Sequence, residues 1–356
     1  MKLALLTEIP APYRIPLFNA LAERLELRVL FLADRDPRRP YYEAHANERR
    51  FDHCVLRGPQ VRRGGRWLVL NRGVLRELRR FRPDAVAVGD WNQPAFWLAL
   101  AYCRLRRIPL LVWIESTARD ARSEARVLAL ARKLMLRGAS GAFVPGRASA
   151  EYARSLGVRT IETAPNATDA RVFERAAVDR SGRPTCTFLY AGRLDPEKGL
   201  DVLLEAFRDV PGELVLVGSG SEEARLRRLA GERVRFEPPR DRDGLVELYA
   251  AADVFVLPSR SEPWGMVLNE AAAAGLPLVA TEESGAAHDL VDDGENGFRV
   301  PAGDVEALRD RLGRLAADPE VRASAGARSR ELAAAYTPDA WADGVVRLVH
   351  ATTIRP

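Results

Sequence analysis

The sequence predicts an α/β protein made of two successive Rossmann-like βα sheets. Three observations carry this. Short, fully apolar runs alternate with helical patterns along 356 residues. The alternation pauses once, near residues 163–184, and then restarts. The length itself corresponds to about two domains at ~150 residues each. Composition is that of an ordinary globular chain, 47% hydrophobic and 29% charged, which excludes intrinsic disorder.

In the first half, Leu3–Thr7, Leu27–Leu32, Asp84–Val88, Leu110–Ile114 and Ala142–Val144 read as buried strands. Pro16–Leu25, Gly73–Phe81, Pro94–Arg106, Glu124–Leu136 and Ala148–Leu156 read as helices between them. Arg35–Arg39 and Val61–Arg66 read as polar loops. In the second half, Thr187–Tyr190, Leu214–Val217, Val234–Phe236, Val254–Leu257 and Leu278–Ala280 read as strands. Leu200–Phe207, Glu222–Leu229, Asp243–Ala251 and Met266–Ala274 read as helices. The expected organisation is a first domain over 1–170, a linker over 171–184 and a second domain over 185–336. A terminal helix over 337–356 is expected to return to the first domain.

Several classes are set aside. Cys54, Cys103 and Cys186 lie far apart, with no CxxC spacing, so neither a disulfide framework nor a thiolate zinc site is expected. Asp292-Asp293-Gly294 reads as a turn, and no metal cluster is visible. The apolar start is broken by Glu8 and Pro10, short of a signal sequence. Pro94–Cys103 is about half a bilayer crossing. The expectation is therefore a cytoplasmic protein.

Charge is uneven. Met1–Asn166 carries 30 basic and 16 acidic residues, a net +14, and the remainder 24 and 33, a net −9. A basic first half suits an anionic acceptor or the inner face of a membrane. Arginine outnumbers lysine 51 to 3, so a compositional bias accounts for part of the excess. Nucleic acid is not expected, because no interleaved aromatic and basic platform accompanies the charge.

Two loops carry the chemistry. Tyr190–Leu200 leaves a strand and enters a helix with Gly192, Arg193, Lys198 and Gly199 between. In parallel sheets ligands sit at the carboxyl ends of strands, where glycines admit close approach and cations neutralise phosphate. Read blandly, this is a polar βα loop. Ser259–Glu270 follows another strand. Glu262 and Glu270 have seven residues between them, and Pro263 and Gly265 shape a turn that presents the amides of Gly265, Met266 and Val267 at a helix start. Carboxylates there suit sugar and ribose hydroxyls; the plainer reading is a solvated Glu262 and a helix-start charge at Glu270. Val217–Glu222 contains GSG, a weak nucleotide signal read as a tight turn.

Together, GRLDPEKGLD (192–201), SEPWGMVLNEAAAAGLPLVAT (261–281) and DDGENGFRVPAGD (292–304) resemble glycosyltransferase family 4, of the GT-B fold. PAPYRIPLFNALAE (10–23), GDWNQPAFWLAL (89–100) and APNATD (164–169) extend the resemblance more loosely over the first half. The resemblance implies two domains facing a cleft and a retaining glycosyltransferase. It would move a hexose-type sugar from a nucleoside diphosphate, UDP preferred to GDP, to a hydroxyl acceptor. It implies that Arg193 and Lys198 grip the diphosphate and Glu262 meets the donor sugar. It places Glu270 on the ribose, Gly192, Gly265, Met266 and Val267 along the donor, and the base near Val234–Pro239. Tyr13, Arg14, Trp91, Asn92 and Glu115 become acceptor or sugar contacts. No cofactor and no metal are implied. His288 is the histidine that falls near the site. The sequence departs from the family where a histidine often follows the strand matched by Leu110–Ile114, since Glu115 stands there, and where Pro10–Arg14 replaces a glycine pair.

Two other readings remain open: a UDP-sugar 2-epimerase, which shares two Rossmann domains, and a non-catalytic sugar-nucleotide or nucleic-acid binding module. The Glu262–Glu270 arrangement argues against the first, as does the lack of catalytic-looking histidines. The complete donor motif argues against the second.

Overall fold

A computed structural model describes residues 1–34, 47–63, 66–119, 126–180, 182–183 and 185–353. The loop expected at Arg35–Arg39 lies outside the described residues.

The chain divides into two units. Unit 1 comprises Met1–Glu115, Ala121–Asn166 and Pro338–Pro356; unit 2 comprises Ser116–Asp120 and Ala167–Thr337. The stretch expected to be a linker, 171–184, is grouped with unit 2, and the terminal helix with unit 1.

In unit 1 the strands are β1 (Lys2–Thr7), β2 (Glu26–Phe31), β3 (Asp52–Val55), β4 (Gln60–Arg63), β5 (Arg66–Val69), β6 (Ala85–Val88), β7 (Leu110–Trp113), β8 (Gly141–Val144) and β9 (Ile161–Thr163). Seven form one parallel sheet in the order β3-β2-β1-β6-β7-β8-β9. The middle strands β6, β7 and β8 are buried at every position. A parallel sheet covered on both faces needs such continuous apolar runs. Of the Val61–Arg66 stretch, expected as a loop, residues 61–63 and 66 belong instead to the antiparallel strands β4 and β5; residues 64 and 65 lie outside the described residues. Period-2 alternation is masked there by arginines. Gln93 anchors this hairpin by accepting from the Val69 amide at 3.1 Å and donating to the Trp67 carbonyl at 2.9 Å.

The terminal helix Pro338–Thr353 completes the unit 1 core. Its Trp341 is fully buried, with ring centroids 5.3 Å from Trp113 and 6.0 Å from both Phe18 and Phe143.

In unit 2 the strands are β10 (Thr187–Ala191), β11 (Glu213–Val217), β12 (Val234–Glu237), β13 (Val254–Leu257), β14 (Leu278–Thr281) and β15 (Gly297–Val300). They form one parallel sheet in the order β12-β11-β10-β13-β14-β15. Both sheets therefore reverse winding once, at β1/β6 and at β10/β13. Crevices at the carboxyl ends of strands beside such a reversal are where open α/β sheets bind ligands.

Arginines close the opposite edge of unit 2. Arg180 donates to the carbonyls of Ala176, Tyr249, Ala252 and Ala274, and Arg183 to those of Ala250, Ala251 and Ala252. These carbonyls lie at helix C-termini, where last-turn oxygens lack intrahelical partners and the dipole is negative.

Candidate functional site

The two loops singled out from sequence leave β10 and β13, the neighbours at the winding reversal of unit 2. Lys198 ends a short turn of helix, Pro196–Lys198, after β10. Its ammonium forms an ion pair with the Glu262 carboxylate, although 64 residues separate them. Both side chains are largely buried. Arg260 ties the loops further, bonding both oxygens of Asp201 at 2.8 and 3.0 Å and the Pro196 carbonyl at 3.1 Å.

Arg193 is held by acids of its own loop, Asp195 and Glu197, the latter at 2.7 Å. Asp195 in turn accepts from the amide and hydroxyl of Ser221, each at 3.0 Å. Burial opposes ionisation of Asp195, but the Ser221 and Arg193 hydrogen bonds outweigh it and lower its pKa. The GSG turn thus supports the Arg193 loop from behind. Gly218 has φ +140°, and a Cβ there would lie 1.8 Å from the Gly192 carbonyl oxygen.

Glu262 is held from the other side by the loop after β14. The Glu262 amide donates to the Glu283 carbonyl at 3.3 Å, and the Gly285 amide to the Glu262 carbonyl at 3.1 Å. Gly265, at φ +99°, turns the chain into the helix Met266–Ala273, whose N-terminus has no side-chain cap. Amides at such an end favour an anion. Glu270 sits one turn further along. Burial pushes its pKa up to about 7, while the Tyr249 hydroxyl, donating at 2.8 Å, and the nearby Arg242 work the other way. His288 Nε2 lies 2.8 Å from the Glu282 carbonyl. Val234–Glu237 forms the edge strand β12.

In unit 1 the structure brings together two of the five predicted contacts. Arg14 bonds Glu115 at 2.7 Å and Thr7 at 2.9 Å, with its guanidinium 4.3 Å from the Trp113 ring centroid. Asn166 donates to the second Glu115 oxygen at 2.7 Å. Thr7 ends β1 and Glu115 follows β7, so this group lies at the carboxyl edge of the unit 1 sheet. Tyr13 places its ring 5.7 Å from the Arg14 guanidinium. Asn92 donates to Glu8 at 3.4 Å, beside Gln93 at 2.9 Å. Trp91 instead accepts at its carbonyl from Trp97 Nε1 at 3.0 Å, with its ring centroid 5.6 Å from the Arg132 guanidinium.

Sequence reasoning missed Asp195 and Ser221 as the bracket behind Arg193, Tyr249 as the partner of Glu270, and Thr7 and Asn166 around Glu115. Thr7 ends β1, and Asp195 directly precedes the helical turn Pro196–Lys198, both usable signals; Tyr249 lies inside a helix and offers none. Among the described residues, no group of three or more His, Cys, Asp or Glu is placed to hold a metal ion.

Comparison with known proteins agrees with this geometry. The family described as glycosyl transferases group 1 matches residues 179–332, and a glycosyl transferase 4-like domain matches residues 12–167. A D-inositol 3-phosphate glycosyltransferase of Saccharomonospora viridis is 39% identical over 202 residues, covering 51% of this chain and 47% of that protein. A phosphatidyl-myo-inositol mannosyltransferase of Mycobacterium leprae is 35% identical over 215 residues, covering 57% and 54%. The matches thus span about half the length of these curated relatives. Among solved structures, Anabaena HepE in complex with UDP and glucose superposes with a TM-score of 0.77 at 20% identity, covering 99% of this chain and 100% of that one. A sucrose-phosphate synthase of Thermosynechococcus elongatus gives 0.75 at 23% identity, covering 99% and 98%. Two winding reversals, paired loops at the unit 2 reversal and a family match over each half lead to one conclusion: the chain belongs to the family 4 glycosyltransferases, enzymes of the GT-B fold.

Proposed function

We propose that the enzyme transfers a hexose-type sugar, with retention, from a nucleoside-diphosphate sugar to a hydroxyl of an anionic acceptor. UDP is the preferred nucleotide. The observation that carries this is the meeting of Lys198 and Glu262 at the β10/β13 reversal, beside the uncapped helix start and Glu270.

In this reading the donor diphosphate draws Lys198 and Arg193 away from their carboxylate partners. Each exchange substitutes phosphate oxygens for Glu262, or for Asp195 and Glu197, so no cation is left unpaired. The freed Glu262 turns to sugar hydroxyls, and Glu270 accepts from the ribose. As the glycosidic bond breaks, negative charge grows on the departing diphosphate. Arg193, Lys198 and the amides of Gly265, Met266 and Val267 stabilise it electrostatically. The acceptor attacks from the same face, and the leaving phosphate takes its proton. Protein cations balance the diphosphate, so turnover is expected to survive chelation. The inositol phosphate named for one relative and the phosphatidylinositol named for another support an anionic acceptor, as does the +14 charge of residues 1–166.

The test is calorimetric titration with UDP, GDP and their sugars, followed by anomeric assignment of the product by NMR in the presence of EDTA. Tight UDP binding, a retained anomer and activity in EDTA support the proposal. An inverted product or no nucleotide binding overturns it.

A further inference from the structure

The basic charge of unit 1 is not spread evenly. The helices Pro94–Arg106 and Arg126–Gly138 adjoin, since a Cβ on Gly138 would lie 2.8 Å from Leu100 and 3.0 Å from Arg104. Neither helix contains an aspartate or glutamate. On the first, Leu98, Ala101 and Leu105 are exposed and share one face by their i, i+3, i+7 spacing; Leu130 and Leu134 do so on the second, at i, i+4. Leu105 is 80% exposed, Leu130 57% and Leu134 48%. Exposed cations flank them: Arg104, Arg106, Arg107, Lys133 and Arg137.

Cations in last turns complement helix dipoles, which accounts for some of this charge. It does not account for leucines in water. The neighbouring helix Val74–Phe81, joined through the Tyr102 hydroxyl to the Leu78 carbonyl at 3.1 Å, is the useful contrast. It exposes Arg76, Arg79 and Arg80 but no leucine, and its Glu77 is buried against Arg28. Of these three helices, the two without a carboxylate are the ones that combine exposed leucines with positive charge.

We infer that these two helices dock unit 1 onto an anionic lipid bilayer. The leucines enter the headgroup–acyl boundary and the surrounding arginines and lysine pair with lipid phosphates. Among the described residues no helix is long and apolar enough to cross a membrane; the docking proposed is peripheral. The inference rests on unit 1 alone and does not require the donor assignment.

Sedimentation with vesicles tests it. The probes are equal parts phosphatidylglycerol and phosphatidylcholine, against phosphatidylcholine alone, at about 50 and about 300 mM salt. The parent is expected to partition at least about tenfold better onto the anionic vesicles, with salt weakening the effect. Leu105→Ser/Leu134→Ser is expected to lower that partition about tenfold while all cations remain. Arg104→Gln/Arg106→Gln/Lys133→Gln/Arg137→Gln is expected to remove its salt dependence. If the leucine variant sediments like the parent, the charge is acting as a general polyanion or acidic-protein surface and the inference is wrong. No binding of the parent at low salt, or equal binding to neutral vesicles, also overturns it. All variants alter exposed side chains, and an unchanged circular dichroism spectrum and nucleotide titration separate this outcome from any failure of the donor reading.

Discussion

Glu270 carries two opposed demands. In the folded protein its pKa is raised by burial to about 7, against 4.5 for an ordinary glutamate. The folded state therefore holds a proton that the unfolded state gives up, and stability falls as pH rises from about 4.5 to about 7. Above that window the full cost is present, about 3 kcal/mol. Glu270→Gln should raise the melting temperature at pH 8 by roughly 4–8 °C and leave it nearly unchanged at pH 5. The same variant should weaken nucleotide binding at pH 8, because an amide accepts less strongly than a carboxylate. Equal melting shifts at both pH values would show that the carboxyl is not desolvated. Lys198 and Glu262 invite a companion experiment. Lys198→Met and Glu262→Gln should each destabilise unit 2 by about 1–3 kcal/mol, since each strands a largely buried partner, and the double variant should cost less than their sum. Strict additivity in urea denaturation would deny that the ion pair is coupled. The identities of these side chains were legible from motif spacing. Their partners were not, since a pairing across 64 residues is set by the sheet order and leaves no local trace.

The elements around the loops after β10 and β13 were read closely, because buried parallel strands leave unbroken apolar runs. The edges were read poorly. β3, β9 and β15 are short strands absent from the sequence reading, and the β4/β5 hairpin was taken for a loop. Partly exposed strands mix charge with apolar residues and lose their period. The GSG turn shows a different limit: its glycines signal a nucleotide loop weakly, whereas the structure uses them for one backbone passing close to another. Gly218→Ala should therefore destabilise unit 2 severely, by several kcal/mol on the scale of overpacking combined with backbone strain, because its Cβ meets the Gly192 carbonyl oxygen. Gly231→Ala, where no atom lies within 4 Å of the new Cβ, should be close to neutral. Similar melting temperatures for the two variants would refute the close approach.

Each unit encloses its own hydrophobic core. Trp341→Ala should accordingly cost unit 1 about 3–5 kcal/mol by opening a cavity among Phe18, Trp113 and Phe143. Differential scanning calorimetry with and without UDP is the check. The variant should lower the transition that the nucleotide leaves in place, and movement of the nucleotide-sensitive transition instead would contradict the partition. Alternation along the chain made both sheets legible. That residues 116–120 join unit 2 was not, because a segment that short has no hydrophobic pattern. The return of residues 338–356 to unit 1 has a consequence for how the protein is born. Unit 2 emerges from the ribosome as nearly uninterrupted chain and can close its core during translation. Unit 1, although synthesised first, waits for its last helix, with the aromatic faces of Phe18, Trp113 and Phe143 uncovered until Trp341 arrives. A nascent chain paused before Pro338 thus pairs a finished unit 2 with an unfinished unit 1, the state in which a chaperone has most to hold.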